Sequence, residues 1–104
     1  MLSALAAAGR DYRLADLFER AGASGEVTIG RSNDNVLALH GAPEVGGAPL
    51  PLMVSRRHAR LQVESGQLLV RDEGTINGTY VNSHKLEGAA WKVLGEGDVV
   101  SFGG

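Results

Sequence analysis

The sequence contains no cysteine, which excludes a disulfide framework and thiolate chemistry and agrees with a reducing compartment. No apolar run approaches the roughly 18–20 residues that a membrane-spanning helix needs. The opening Met1-Leu2-Ser3-Ala4-Leu5-Ala6-Ala7-Ala8 lacks a basic start and makes a poor signal peptide. Basic residues are not in excess either: ten Lys and Arg stand against twelve Asp and Glu, for a net charge of −2. That balance argues against a general nucleic-acid binder, which would present a basic surface. The three histidines, His40, His58 and His84, fall in separate segments with no paired-histidine or carboxylate spacing around them, so no metal site is expected. No nucleophile–base pair accompanied by an oxyanion-hole motif is visible, and no glycine-rich phosphate loop opens a helix. The expectation is a non-enzymatic protein of the cell interior, nucleus or cytoplasm, with no cofactor, membrane contact or direct nucleic-acid contact.

What the chain does have is a succession of short β-prone runs punctuated by glycine. Its 104 residues, 43% of them hydrophobic, suit one domain near the lower edge of what buries a self-sufficient core. Glu26 to Ile29 is rich in β-branched residues and stops at Gly30, and Val36 to Leu39 is a second apolar run. From Val54 onward a strand is predicted whose alternation places Ala59, Leu61 and Val63 on one face and Arg60, Gln62 and Glu64 on the other. Ser65-Gly66-Gln67 turns the chain into Leu68-Leu69-Val70. Tyr80 and Val81 begin another strand that Asn82 to Lys85 turns back, and Trp91 to Leu94 and Val99 to Phe102 flank the turn Gly95 to Asp98. Asn77-Gly78, between two β-prone segments, is the strongest short signal for a tight hairpin. Strands at roughly 8–12-residue spacing indicate a sandwich or a barrel.

Two segments read differently. His40 to Pro51 holds all three prolines and three glycines, and is expected to be a surface loop, because proline lacks a ladder donor and glycine costs chain entropy. In residues 1–25, Leu14, Leu17, Phe18 and Ala21 recur at helical spacing, with Asp11 as a candidate N-cap and Gly22 as a stop. Pattern alone does not decide so short a run, and a strand competes with that helix, since a sandwich needs a partner for Val27–Ile29. The strand is the reading adopted here.

Three motifs in order carry a resemblance: Gly30-Arg31 closing a strand, Ser55-Arg56-Arg57-His58, and Gly74-Thr75-Ile76-Asn77-Gly78-Thr79. With Leu94-Gly95-Glu96-Gly97-Asp98 and Phe102-Gly103 they resemble the forkhead-associated (FHA) domain from about Glu26 to Phe102. The resemblance implies an all-β, two-sheet antiparallel sandwich whose loops at one end bind phosphothreonine in an extended peptide. It divides the chain into an N-terminal segment, 1–23, supplying a first strand over roughly Tyr12 to Phe18, and an FHA domain, 24–104, that would lack its last strand. It also makes the 40–51 loop a longer connection than the family usually has there.

A phosphate ester carries roughly −1.5 to −2 charge and three strong acceptor oxygens, so it calls for cationic forks, hydroxyls and backbone N–H groups held on loops. By resemblance, Arg31 is the main phosphate ligand, Ser55 donates its hydroxyl, Arg56 is a second basic contact, and Arg57 is surface charge. Thr75 supplies a further hydroxyl and Asn77 holds the peptide main chain. Gly30, His58 and Gly78 support the site, His58 by bracing loops rather than by touching phosphate. Each has a plainer reading: a solvated loop arginine, a turn-capping serine, a turn-forming asparagine. Ile76 stands where the family often has a polar contact. A phosphate-independent scaffold that packs against an unmodified partner or another domain is therefore the competing reading.

Overall fold

Among the described residues the chain forms ten short strands and one α-helix. The computed structural model describes residues 3–7, 9–39 and 54–103, and the expected loop over 40–51 lies outside them. In chain order the elements are β1 (Ala4–Ala7), β2 (Arg10–Arg13), α1 (Leu14–Ala21), β3 (Glu26–Gly30), β4 (Leu37–Ala38), β5 (Ala59–Glu64), β6 (Gln67–Asp72), β7 (Thr79–Val81), β8 (His84–Lys85), β9 (Lys92–Leu94) and β10 (Val99–Phe102). They form two five-stranded sheets, β2-β1-β10-β7-β8 and β4-β3-β5-β6-β9. Val27, Ile29, Leu61, Leu68 and Val70 of one sheet and Leu5, Val81, Val100 and Phe102 of the other share one buried core. This is the expected two-sheet sandwich. Its ladders are antiparallel except for one parallel pair in each sheet, β1 with β10 and β3 with β4.

The N-terminal segment departs from the strand adopted for it. Tyr12 and Arg13 end β2, and Leu14 to Ala21 form α1. The helical stripe prevails because Leu14 and Leu17 are buried on it, with Phe18 and Ala21 packed partly against the same core. Gly22, at φ 64°, closes the helix as its spacing suggested, but Arg13 rather than Asp11 stands at the N-cap. Nor does this segment pair with Val27–Ile29. β1 and β2 join the opposite sheet, and β3 takes β5 and β4 as its neighbours.

Two further expectations are corrected. The strand predicted from Val54 begins only at Ala59, and Val54 to His58 form a loop. Within β5 the alternation holds at Ala59 and Leu61, but Val63, near the strand end, remains 39% exposed. Asn77-Gly78 does not close a hairpin: β6 and β7 belong to different sheets, so the chain crosses the sandwich there. The tight hairpins lie at Ser65-Gly66, joining β5 to β6, and at Asn82-Ser83, joining β7 to β8, where both central residues have positive φ.

β5 leaves His58 and runs to the Ser65-Gly66 turn, and β6 returns to Asp72. The loops after β3, before β5 and after β6 therefore meet at one end of the sandwich. A cavity of about 540 Å³ lies elsewhere, lined in part by Leu5, Gly66, Leu68 and Gly97 at the opposite end.

Candidate functional site

Three loops are locked together by backbone and buried polar groups. The N–H groups of Arg31 and Ser32 donate to the carbonyls of Ser55 and Arg56, at 2.9 and 3.4 Å. Asn35, only 6% exposed, adds its side-chain amide to the Ser32 carbonyl at 2.9 Å and to the Arg56 carbonyl at 2.7 Å. Gly30 is required where the two loops touch, because a Cβ there would collide with the Arg56 carbonyl. The 54–58 loop is joined in turn to the third by the Glu73 N–H, which donates to the His58 carbonyl at 2.9 Å.

His58 is fully buried, 0% exposed, and uses both ring nitrogens. Nδ1 accepts the Ser55 backbone N–H at 3.0 Å, which leaves Nε2 as the protonated nitrogen, 2.7 Å from the Gly78 carbonyl. The ring also meets Phe102 edge-on, with centroids 5.5 Å apart. Burial pushes the imidazole below its ordinary 6.5, against the upward pull of the Gly78 carbonyl and the Asp72 charge. His58 thus ties two loops together and lies out of a ligand's reach. Ser55 meets it through the backbone rather than the hydroxyl, so no hydrolytic dyad is formed.

The third loop is organised by Asp72, which the motif reading passed over. This carboxylate, 7% exposed, accepts the N–H groups of Gly74 and Thr75, both at 2.9 Å, and the hydroxyls of Thr75 and Thr79, both at 2.7 Å. Burial alone would raise its pKa, but the donors from Thr75, Thr79 and Gly74 together outweigh it and hold the carboxyl below 3.8. Asp-x-Gly-Thr is the signature of an aspartate capturing the backbone two and three residues on, and could have identified it. Asn35 sat in a loop rich in turn residues and carried no comparable signal.

Thr75 takes a place different from the one expected. Its hydroxyl donates to Asp72 and accepts the Gly78 N–H at 2.9 Å. The single hydroxyl proton is committed inward, so Thr75 shapes the loop instead of offering a donor to phosphate. Gly78, at φ 82°, has Lys85 across it: a Cβ would fall 2.8 Å from the lysine Cε. Its carbonyl also accepts the Gly103 N–H at 2.8 Å.

Charge pairing separates the arginines into two sets. Arg57, expected as surface charge, is exposed and pairs there with Asp34 at 2.5 Å and with Asn35 at 3.3 Å. Arg60 pairs with Glu26 and Glu73, and Arg71 pairs with Glu73 while lying 4.8 Å over the Trp91 ring. Among the described residues, the side chains of Arg31, Ser55 and Arg56 have no hydrogen bond or ion pair, though their backbones are fixed. Arg31 and Ser55 are half-buried, and Arg56, Ile76 and Asn77 are exposed. The rigid loop end thus presents two guanidinium groups and a hydroxyl to solvent. That arrangement can receive an anion. No cluster of His, Asp and Glu among the described residues could hold a metal, and no helix there is long and apolar enough to cross a membrane.

A two-sheet sandwich that carries cationic and hydroxyl groups on loops at one end is an architecture suited to recognition. The FHA domain family matches residues 27–103, and the chain belongs to that family. It is 40% identical over 79 residues to the ABC transporter ATP-binding/permease protein Rv1747 of Mycobacterium tuberculosis, covering 76% of this chain but only 8% of the transporter. Among solved structures, the FHA domain of FhaA, complexed with the intracellular domain of Rv3910, superposes with a TM-score of 0.62 at 29% identity, covering 92% of this chain and 82% of that one. The N-terminal FHA domain of S. cerevisiae Rad53p, solved with a phosphothreonine peptide, gives a TM-score of 0.56 at 28% identity over 72% of this chain and 53% of that one.

Proposed function

We propose that this domain binds a phosphothreonine-bearing, extended segment of a partner protein through Arg31, Ser55 and Arg56, with Asn77 holding the peptide main chain. The observation that carries this reading is the contrast among neighbouring cations. Arg57, Arg60 and Arg71 are paired with carboxylates, whereas Arg31 and Arg56 are left beside the Ser55 hydroxyl without a partner among the described residues. A phosphate group satisfies two guanidinium forks and a hydroxyl at once, and bidentate geometry favours arginine over lysine for that task. The loops that carry these groups are held by Asn35, His58 and Asp72, so binding orders few additional residues. The complex of the Rad53p domain with a phosphothreonine peptide supports the same ligand class here.

Calorimetric titration of the domain with one peptide in phosphothreonine and unphosphorylated forms tests the reading. Phosphate-dependent binding is expected. A charge-assisted hydrogen bond contributes about 1.5–3 kcal/mol, so Arg31→Ala should weaken binding by about tenfold or more without moving the thermal midpoint. Arg57→Ala, which removes a guanidinium already paired with Asp34, should change affinity by no more than about threefold. Equal affinity for the two peptides would overturn the proposal in favour of a phosphate-independent scaffold.

A further inference from the structure

Ile76 stands out at the loop end of the sandwich. It is 93% exposed, about twice the 47% of Val99, the next most exposed large hydrophobic residue among those described. Single exposed apolar residues are ordinary on protein surfaces, but this one lies between Thr75 and Asn77 on a loop that is held from within. Asp72 takes the Thr75 N–H and hydroxyl, the Thr75 hydroxyl takes the Gly78 N–H, and the Gly78 carbonyl is held by His58 and the Gly103 N–H. The side chain is therefore projected into water by backbone with few alternative conformations. An apolar group held rigidly beside polar binding groups contributes to association by excluding water, with little ordering cost.

We infer that Ile76 is a specificity-determining residue that packs against an apolar side chain flanking the phosphothreonine. This rests on the proposed phosphopeptide function and adds the chemical class of the flanking residue. Its loop is tied to the loop of Ser55 and Arg56 by the Glu73 N–H on the His58 carbonyl and by the His58 ring between the Ser55 N–H and the Gly78 carbonyl, so Ile76 offers an apolar contact at the same end of the sandwich as the groups proposed to engage phosphate. The ligand it selects pairs one phosphate with one nearby aliphatic or aromatic side chain. A polar or charged side chain at that flanking position would leave Ile76 in water or be desolvated without a partner.

The test uses the unmutated domain and Ile76→Ser, titrated with phosphothreonine peptides in which each flanking position is set in turn to Leu, Ser or Asp. At one flanking position the unmutated domain should bind the Leu peptide about tenfold more tightly than the Ser peptide, the scale of partial burial of one aliphatic side chain. Ile76→Ser should reduce that ratio to about twofold or less while leaving the preference for phosphorylated over unphosphorylated peptide intact. Ile76→Val should retain most of the ratio. The side chain is almost wholly in solvent, so the thermal midpoint should not move. Phosphate-dependent binding without a flanking preference, or with a preference that Ile76→Ser leaves unchanged, would overturn this inference and spare the proposed function. Binding indifferent to phosphate would overturn both.

Discussion

The buried imidazole of His58 donates its Nε2 proton to the carbonyl of Gly78 across 2.7 Å, joining the loop before β5 to the loop that crosses between the sheets. The same ring accepts the Ser55 N–H on Nδ1. A protonated ring would carry a second N–H facing that donor, so the interaction exists only with neutral histidine.

His58 should therefore make stability sensitive to mild acid. Above pH 6.5 the imidazole is neutral in the folded and unfolded chains alike, and its contribution does not vary with pH. As pH falls below 6.5, the unfolded chain takes up a proton that the folded one refuses because its pKa is lowered. Stability then declines until the folded-state pKa is reached. The Asp72 carboxyl is also lowered, and its contribution is lost only as pH falls below 3.8. Denaturant unfolding at a series of pH values should show the first decline in the unmutated domain and not in His58→Ala. The variant should also be less stable by about 2–4 kcal/mol at neutral pH, because the Ser55 N–H loses its acceptor and a cavity remains. An identical decline below pH 6.5 in both proteins would assign it elsewhere.

Gly30 and Gly74 should respond unequally to alanine. At Gly30 the added methyl meets the Arg56 carbonyl, which already accepts hydrogen bonds from the Asn35 amide and the Ser32 N–H and has little room to withdraw. Gly30→Ala should cost about 3 kcal/mol or more and loosen the phosphate-facing loops. At Gly74 the methyl meets open space, and only its φ of 76° is unfavourable, so Gly74→Ala should cost about 1–2 kcal/mol. Urea midpoints at constant m-value would separate the two. Equal losses would contradict the close approach at Gly30.

Thr75 should matter without any ligand present. Thr75→Val removes a donor to Asp72 and an acceptor of the Gly78 N–H. It should destabilise the free domain by about 1–3 kcal/mol and speed hydrogen exchange at the Gly78 amide. Thr75→Ser, which keeps the hydroxyl, should restore slow exchange. A Thr75→Val domain of full stability that merely loses affinity would instead return Thr75 to direct phosphate contact.

Local chemistry was legible in the chain wherever a residue's own backbone preference dictated the outcome. β-branched runs and alternation located β3, β5 and β10, and paired turn residues located the hairpin at Ser65-Gly66. Gly22 ended α1, and three short motifs in order were enough to recognise the family. Tertiary structure decided what depends on partners distant in sequence. Leu14 and Leu17 could equally have served a strand until a core was available to bury them on a helical stripe. Asn77-Gly78 has the backbone freedom of a hairpin, but Asp72 and His58 hold its surroundings so that the chain passes between sheets instead. The division of the arginines was likewise invisible in the sequence. Arg31, Arg56, Arg57 and Arg60 are chemically alike along the chain, and only folding brings Asp34, Glu26 and Glu73 against two of them and leaves the other two without a carboxylate among the described residues. Side-chain charge is a local property, whereas its neutralisation depends on which carboxylates the fold carries within a few ångströms.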